Sequence, residues 1–163
     1  MDIKNSSLAG WNTALKTLAT CFILSSLLGY GIGFLKIHQI TNYKIDQAVT
    51  YYRGDNLPEN ETMLFPQSYA SLLSVAHVHS FSQPLLLFIM GFIFSFSNAS
   101  NKFKTGIIIT IFLSSFVSNL SPWLVRYTST QTIYLLPASQ IFFGLSFIIM
   151  SWCSLKSMWS RSR

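Results

Sequence analysis

The chain is 163 residues long, half of them hydrophobic and only 10% charged, with a mean hydropathy of +0.42. A soluble domain carries about a quarter charged residues, so the composition excludes an ordinary soluble globule. The net charge of +6 is scattered at the edges of apolar runs. That excludes a nucleic-acid-binding face and fits contact with anionic lipid headgroups.

Roughly twenty apolar residues in a helix cross a hydrocarbon core, and four such windows are present. They predict an all-α membrane protein, with transmembrane helices at about 17–35, 67–97, 106–125 and 133–155. The arrangement expected is an up-down-up-down bundle in one transmembrane domain. None of the windows 17–35, 78–97, 106–125 and 133–152 holds Asp, Glu, Lys or Arg. A β-barrel would instead alternate polar and apolar residues over short strands.

The first window follows lysines, as a signal peptide does. Its apolar run is too long for one and no A-x-A-like site follows, so an uncleaved helix is expected. It contains GYGIG, in which Gly29 and Gly33 are four apart. That spacing predicts close helix packing, with room for a flat cofactor as the alternative. Gly91 in the second helix is read the same way, on the face of His79, Gln83 and Leu87.

Between the first two helices lies a loop at about 36–66. In NYKIDQAVTYYRG, Ile45, Ala48, Val49 and Tyr52 recur at i, i+3, i+4 and i+7, which predicts a short amphipathic helix. It is expected to lie on the membrane face or cap the bundle. GDNLPENET reads as a turn, and Pro66 suits the first turn of the second helix. The remaining connections, NASNKFKT and RYTSTQT, are short, so consecutive helices are antiparallel neighbours.

Positive charge sets orientation. Lys4, Lys16, Lys102, Lys104, Lys156, Arg161 and Arg163 stand against Asp2 alone on one side. On the other, Lys36, Lys44, Arg53 and Arg126 are matched by Asp46, Asp55, Glu59 and Glu61. Both termini are therefore expected in the cytoplasm of a bacterium, with the long loop outside the inner membrane. Trp159 in the basic tail fits an interfacial anchor. Cys21 and Cys153 lie near the cytoplasmic side, where a disulfide is not expected, and no C-x-x-C is present. Of the sequons at Asn5, Asn60 and Asn98, only Asn60 falls on the outer side.

Polar residues gather at one depth. His38 ends the first helix, and His77, His79 and Gln83 enter the second. Asn119 and Arg126 lie toward the outer end of the third, and Gln140 toward that of the fourth. Such residues face a bundle interior or a wet cavity, because lipid offers them no partners. Gln83, Asn119, Arg126 and Gln140 are expected to line a polar pocket.

His77 and His79 are about 200° apart around a helix, so a regular helix cannot aim both at one ion. Pro84 removes a hydrogen bond one turn earlier and could distort it. Three readings of the histidines stay open. His38 could pair with His79 or His77 as axial ligands of haem b, which needs no attachment motif. His38, His77 and His79 could hold zinc or copper, with the loop acids completing the site. Or they hydrogen-bond between helices or relay protons, with no cofactor.

No nucleophile elbow, H-E-x-x-H or phosphate loop is present. No acidic residue stands in a membrane helix as a general base. The serines at 114, 115 and 118 are expected to bond their own backbone. Catalysis therefore has little support, and a transporter lacks a repeat or charged pathway.

AHVHSFSQPLLLFIMG resembles the haem-binding helices of heme–copper oxidase and nitric oxide reductase subunits. The order YYRG, FPQSYASLLSVAHVHSF, SNLSPWLVR is similar to a group of small four-helix bacterial inner-membrane proteins with no established activity. Together these imply a small accessory subunit of a membrane complex, redox-linked through one haem b near the outer face. The alternative is a structural or assembly subunit, with a membrane-protein partner or a second copy beside it.

Overall fold

The computed structural model describes residues 7–55 and 64–160. Asn5, Asn60 and most of the GDNLPENET turn lie outside them, as do the charges of Asp2, Lys4, Glu59, Glu61, Arg161 and Arg163. Among the described residues five α-helices form: α1 (Thr13–Thr41), α2 (Ile45–Arg53), α3 (Tyr69–Ser95), α4 (Asn101–Tyr127) and α5 (Leu135–Trp159). All but α2 are long and apolar enough to cross a membrane. The protein is a four-helix membrane bundle with a short helix at one end.

Helix starts follow from small polar side chains that accept the orphan N–H groups of the first turn. Asn12 accepts from Leu15 N at 2.9 Å, Ser68 from Ser71 N at 3.1 Å, and Ser100 from Phe103 N at 3.4 Å. These caps extend α1 and α4 beyond their apolar windows. α5 is entered through a 3-10 turn at Thr130–Tyr134. α1 ends at Asn42, whose left-handed conformation returns its N–H to His38 O at 2.7 Å.

Pro66 is not the start of α3. Residues 64–68 stay extended because they pair with the end of α2: Asp55 N donates to Leu64 O at 2.9 Å and Gln67 N to Tyr52 O at 3.1 Å. Gly54 makes this reversal possible. Its φ is +83°, and a Cβ there would sit 2.7 Å from Pro66 Cδ and 2.8 Å from the Leu64 carbonyl. Neither can the proline at 84 break α3, which continues unbroken to Ser95.

Packing is tightest at the end of the bundle where α1 starts and α5 ends. Leu87, Met90 and Phe94 of α3, Ile111 of α4, Phe147 and Met150 of α5 and Ile23 of α1 are all buried there. Leu8 joins them, its N–H donating to Phe96 O at 3.3 Å. Lys104 closes α3 by donating from Nζ to the carbonyls of Ser95 (2.7 Å) and Ser97 (3.2 Å). Trp159 Nε1 donates to Thr20 Oγ1 at 3.1 Å, with Lys16 Nζ 5.9 Å from the indole. Cys21 and Cys153 are free thiols.

At the opposite end α2 lays its apolar face on the α4–α5 junction. Ala48 packs with Val125 and Ile133, flanked by Ile45, Val49 and Tyr52. The amphipathic helix read from the sequence is therefore a cap on the bundle. Arg53 fastens it, donating from Nε to Val125 O at 2.6 Å and from an Nη to Thr128 O at 3.1 Å. Two charge-assisted bonds to the last carbonyls of α4 are at stake. Arg53→Ala is expected to lower stability by about 2 kcal/mol, read as a fall in unfolding midpoint in detergent. An unchanged midpoint would mean that α2 is held by its apolar face alone.

Burial, with a smaller contribution from the Tyr51 hydroxyl, pushes Tyr52 from 10.0 up to about 12. The folded chain thus holds that proton more tightly than the unfolded one does. Its contribution to stability is complete below pH 10 and lost as pH rises toward 12. The wild-type melting temperature should fall across that window, and the Tyr52→Phe variant should fall less. Parallel slopes would show that Tyr52 ionises as freely folded as unfolded.

Large apolar side chains such as Leu28, Leu35, Phe81, Phe88, Leu113 and Trp152 project outward around the bundle. A surface so apolar belongs against lipid. α1 is the outlying helix. Of its most apolar window 11% is buried within the chain, against 33% for the fourth span. It approaches α5 and α2, while among the described residues its backbone barely nears α3.

Candidate ligand cavity and its polar network

Between the two packed ends lies a cavity of about 620 Å³, framed by all five helices. From Ile40 at the α2 end to Ser26 at the deep end it runs fourteen residues along α1, roughly 21 Å. Gly29, Gly33 and Phe34 of α1, and Val75 and Ser82 of α3, line it while remaining exposed. Its opening therefore lies between α1 and α3, on the lipid side of the bundle.

One wall is aromatic. Phe143 and Phe147, one turn apart on α5, lie with rings 6.1 Å apart and 14° from parallel. Tyr30 of α1 stacks on Phe143 at 5.7 Å and 28°. The Tyr30 ring fits because residue 144 is glycine: a Cβ there would collide with the Tyr30 hydroxyl. That hydroxyl donates to Gln140 O at 3.2 Å.

The facing wall is polar. Ser115 Oγ and Asn119 Nδ2 of α4 both donate to Gln83 Oε1, each at 2.7 Å. With its oxygen so engaged, the Gln83 amide turns its nitrogen to His79 Nδ1, 3.2 Å away. An amide nitrogen only donates, so Nδ1 accepts and the neutral ring carries its proton on Nε2. His79 lines the cavity, and Nε2–H is the polar position its network leaves over. Lys36 is the one charged lysine or arginine among the lining residues described.

The three histidines do not meet. His79 lines the cavity; His77 is exposed, its ring edge-on to Phe81 at 5.3 Å. His38 is also exposed, against Tyr43 at 5.0 Å. The cause is the regular helix through 77–83, which turns neighbours two apart to different sides. The shared three-histidine metal site is thus not formed, and of the three histidines only His79 lines the cavity. Among the described residues no three of His, Cys, Asp or Glu gather where they could hold a metal ion.

Gln83, Asn119 and Gln140 line the cavity. Arg126 does not: its Nε donates to Gln67 O at 3.1 Å and its guanidinium lies 5.3 Å from the Tyr127 ring. Gly91 is buried, and a Cβ there would only touch Ile108 and Met150 at 3.9 and 4.0 Å. Gly29 and Gly33 have nothing within 4 Å of such a Cβ. They hold the cavity open rather than admitting a neighbouring helix of this chain.

Sequence reasoning passed over Tyr30, Gly144, Phe143 and Phe147, because an aromatic on an apolar helix carries no sign of its partner. It also took Ser115 for a backbone-bonded serine. Ser114 does bond its own helix, at Thr110 O. Ser115 reaches Gln83 instead, and its place four residues before Asn119 was the available signal.

Four apolar spans, a capping helix and an interior polar network define a multi-pass transmembrane helical domain. The chain belongs to the Aq_1264_TM family, whose description is a transmembrane helical domain and whose model matches residues 42–163. The match begins where α1 ends, so it takes in the capping helix and the three spans packed most closely on one another. No curated protein and no solved structure matches the chain.

Proposed function

We propose that the protein is a small accessory subunit of a bacterial inner-membrane complex. It holds a flat hydrophobic ligand in the cavity between α1 and α3, and both termini are cytoplasmic. The single observation that carries this reading is the cavity itself. A bundle whose only task is to pack has no use for about 620 Å³ with glycines on one wall. A lipid-side opening admits a ligand dissolved in the bilayer, and five helices supply contacts once it enters.

Filling the cavity tests the proposal. Gly33→Leu adds a side chain where a Cβ meets no atom within 4 Å, so the fold should tolerate it. Native mass spectrometry of protein extracted in mild detergent should find a retained hydrophobic molecule in the wild type and none in Gly33→Leu. Bare protein in both would sink the ligand reading. The structural alternative, in which His79 only ties α3 to α4 through Gln83, would then stand.

Haem b is the narrower ligand expected from the histidines. Here it would have His79 as its one axial ligand from this cavity. Its iron would need the Nε2 lone pair, hence a proton on Nδ1 and a reversed Gln83 amide. A Soret band in protein expressed with ample haem, lost in His79→Ala, would support it. Zinc or copper at His79 meets the same requirement, and metal analysis of the same sample tests it.

A further inference from the structure

We infer that the cavity is a site for a lipid-soluble quinone, held by a hydrogen bond from His79 Nε2–H to a ring carbonyl. This rests on the reading of the cavity as a ligand site and names the ligand class. The polar network decides the chemistry. With Gln83 Nε2 on His79 Nδ1, the imidazole presents a donor and no lone pair. A hydrogen-bond acceptor satisfies it, and a metal ion does not.

The walls decide the shape. Tyr30 and Phe143 stack and stay partly exposed, with the buried Phe147 ring parallel behind Phe143, forming a surface for a flat ring. Gln140 lines the cavity from α5 with no hydrogen bond to its side-chain amide among the described residues, and it offers a second polar position for a second carbonyl. Depth and opening decide the rest. His79 is ten residues inside α3, roughly 15 Å from its start. An uncharged ring reaches that depth without bringing in charge, whereas a phospholipid phosphate would have Lys36 as its one lysine or arginine. The gap between α1 and α3 leaves an isoprenoid tail in the bilayer.

The test uses the full chain in lipid nanodiscs with decylubiquinone as probe. Quinones quench tryptophan, and Trp123 lines the cavity, so binding should appear as saturable quenching that Trp123→Phe largely removes. His79→Phe should weaken binding about tenfold by removing the hydrogen bond. His79→Gln, whose amide keeps an N–H, should stay within about threefold of wild type. Circular dichroism and monodisperse elution establish that each variant is folded. Geranylgeraniol, a tail without a carbonyl ring, serves as competitor, as does phosphatidylglycerol.

Equal competition by either, with no effect of His79→Phe, overturns the quinone inference and leaves the cavity a general lipid site. Absence of saturable binding by any probe overturns the ligand reading as well. A haem co-purifying on His79 would overturn the quinone inference alone.

Discussion

Tyr30→Ala is expected to loosen α1 from the bundle and to cost about 2–4 kcal/mol. The reasoning starts from the solvent. Lipid tails are as apolar as leucine, so α1 gains little by moving its side chains from lipid to protein. Helix association in a bilayer rests on close packing and hydrogen bonds. α1 has few of either, and Tyr30 supplies a large share. Its ring stacks on Phe143, lies 5.8 Å from Phe147, and meets Phe34 edge-on at 5.1 Å. Its hydroxyl bonds Gln140 O. Truncation to alanine leaves Gly144 facing empty space, since neither residue fills it.

Tyr30→Phe separates the two contributions. The hydrogen bond is long at 3.2 Å, so its loss should cost under about 1 kcal/mol, while the stack remains. Unfolding free energies in mixed detergent give both values. Thiol labelling at Cys21 on α1 and Cys153 on α5 reports whether detachment is local, with Cys153 becoming reactive as α1 leaves. Stability of Tyr30→Ala within about 0.5 kcal/mol of wild type would show that α1 is held elsewhere.

The architecture was legible because lipid imposes a simple demand. A span needs about twenty apolar residues, and the four windows meet it wherever they pack. The face of α2 was legible too: Ile45, Ala48, Val49 and Tyr52 repeat with the helix, and a partner for that face was required. Element ends were less so. Pro66 is a good first-turn residue, yet the hydrogen bonds from Asp55 and Gln67 hold 64–68 extended and Ser68 takes the cap.

Tertiary neighbours were the hidden part. GYGIG reads as a packing motif, but whether a glycine meets a helix or a void depends on where the next helix lies. Gly29 and Gly33 border a void, and the membrane-helix glycine under close approach is Gly144, in a stretch with no small-residue repeat. Likewise the H-x-H spacing turns the two histidines to different sides of a regular helix without saying which of them faces inward. The i, i+4 partner resolves it, because Gln83 can reach His79 and not His77.

Gln83→Leu is the substitution that should reach furthest into the site. One amide satisfies three groups at once: Ser115 and Asn119 donate to its oxygen and His79 accepts from its nitrogen. A leucine of similar size leaves all three without that partner inside the bundle. Ser115 can turn its hydroxyl to a carbonyl of its own helix, while Asn119 loses the bond that ties α4 to α3 and the His79 nitrogen loses its donor. Each group left unpaired costs about 1–3 kcal/mol, while measured bonds between membrane helices fall toward the lower value. A loss of about 3 kcal/mol is therefore expected. A double-mutant cycle with Asn119→Leu should show coupling of about 1 kcal/mol or more, because the two act through one bond. Additive effects would mean that the two side chains do not meet.

The tautomer is the finer readout. Nitrogen-15 spectra of histidine-labelled protein should place the His79 proton on Nε2 in wild type, since a donor amide occupies Nδ1. Gln83→Leu removes that constraint, and both tautomers should appear. A wild-type proton on Nδ1 would reverse the Gln83 amide, expose the Nε2 lone pair and return haem and metal ligation to the cavity.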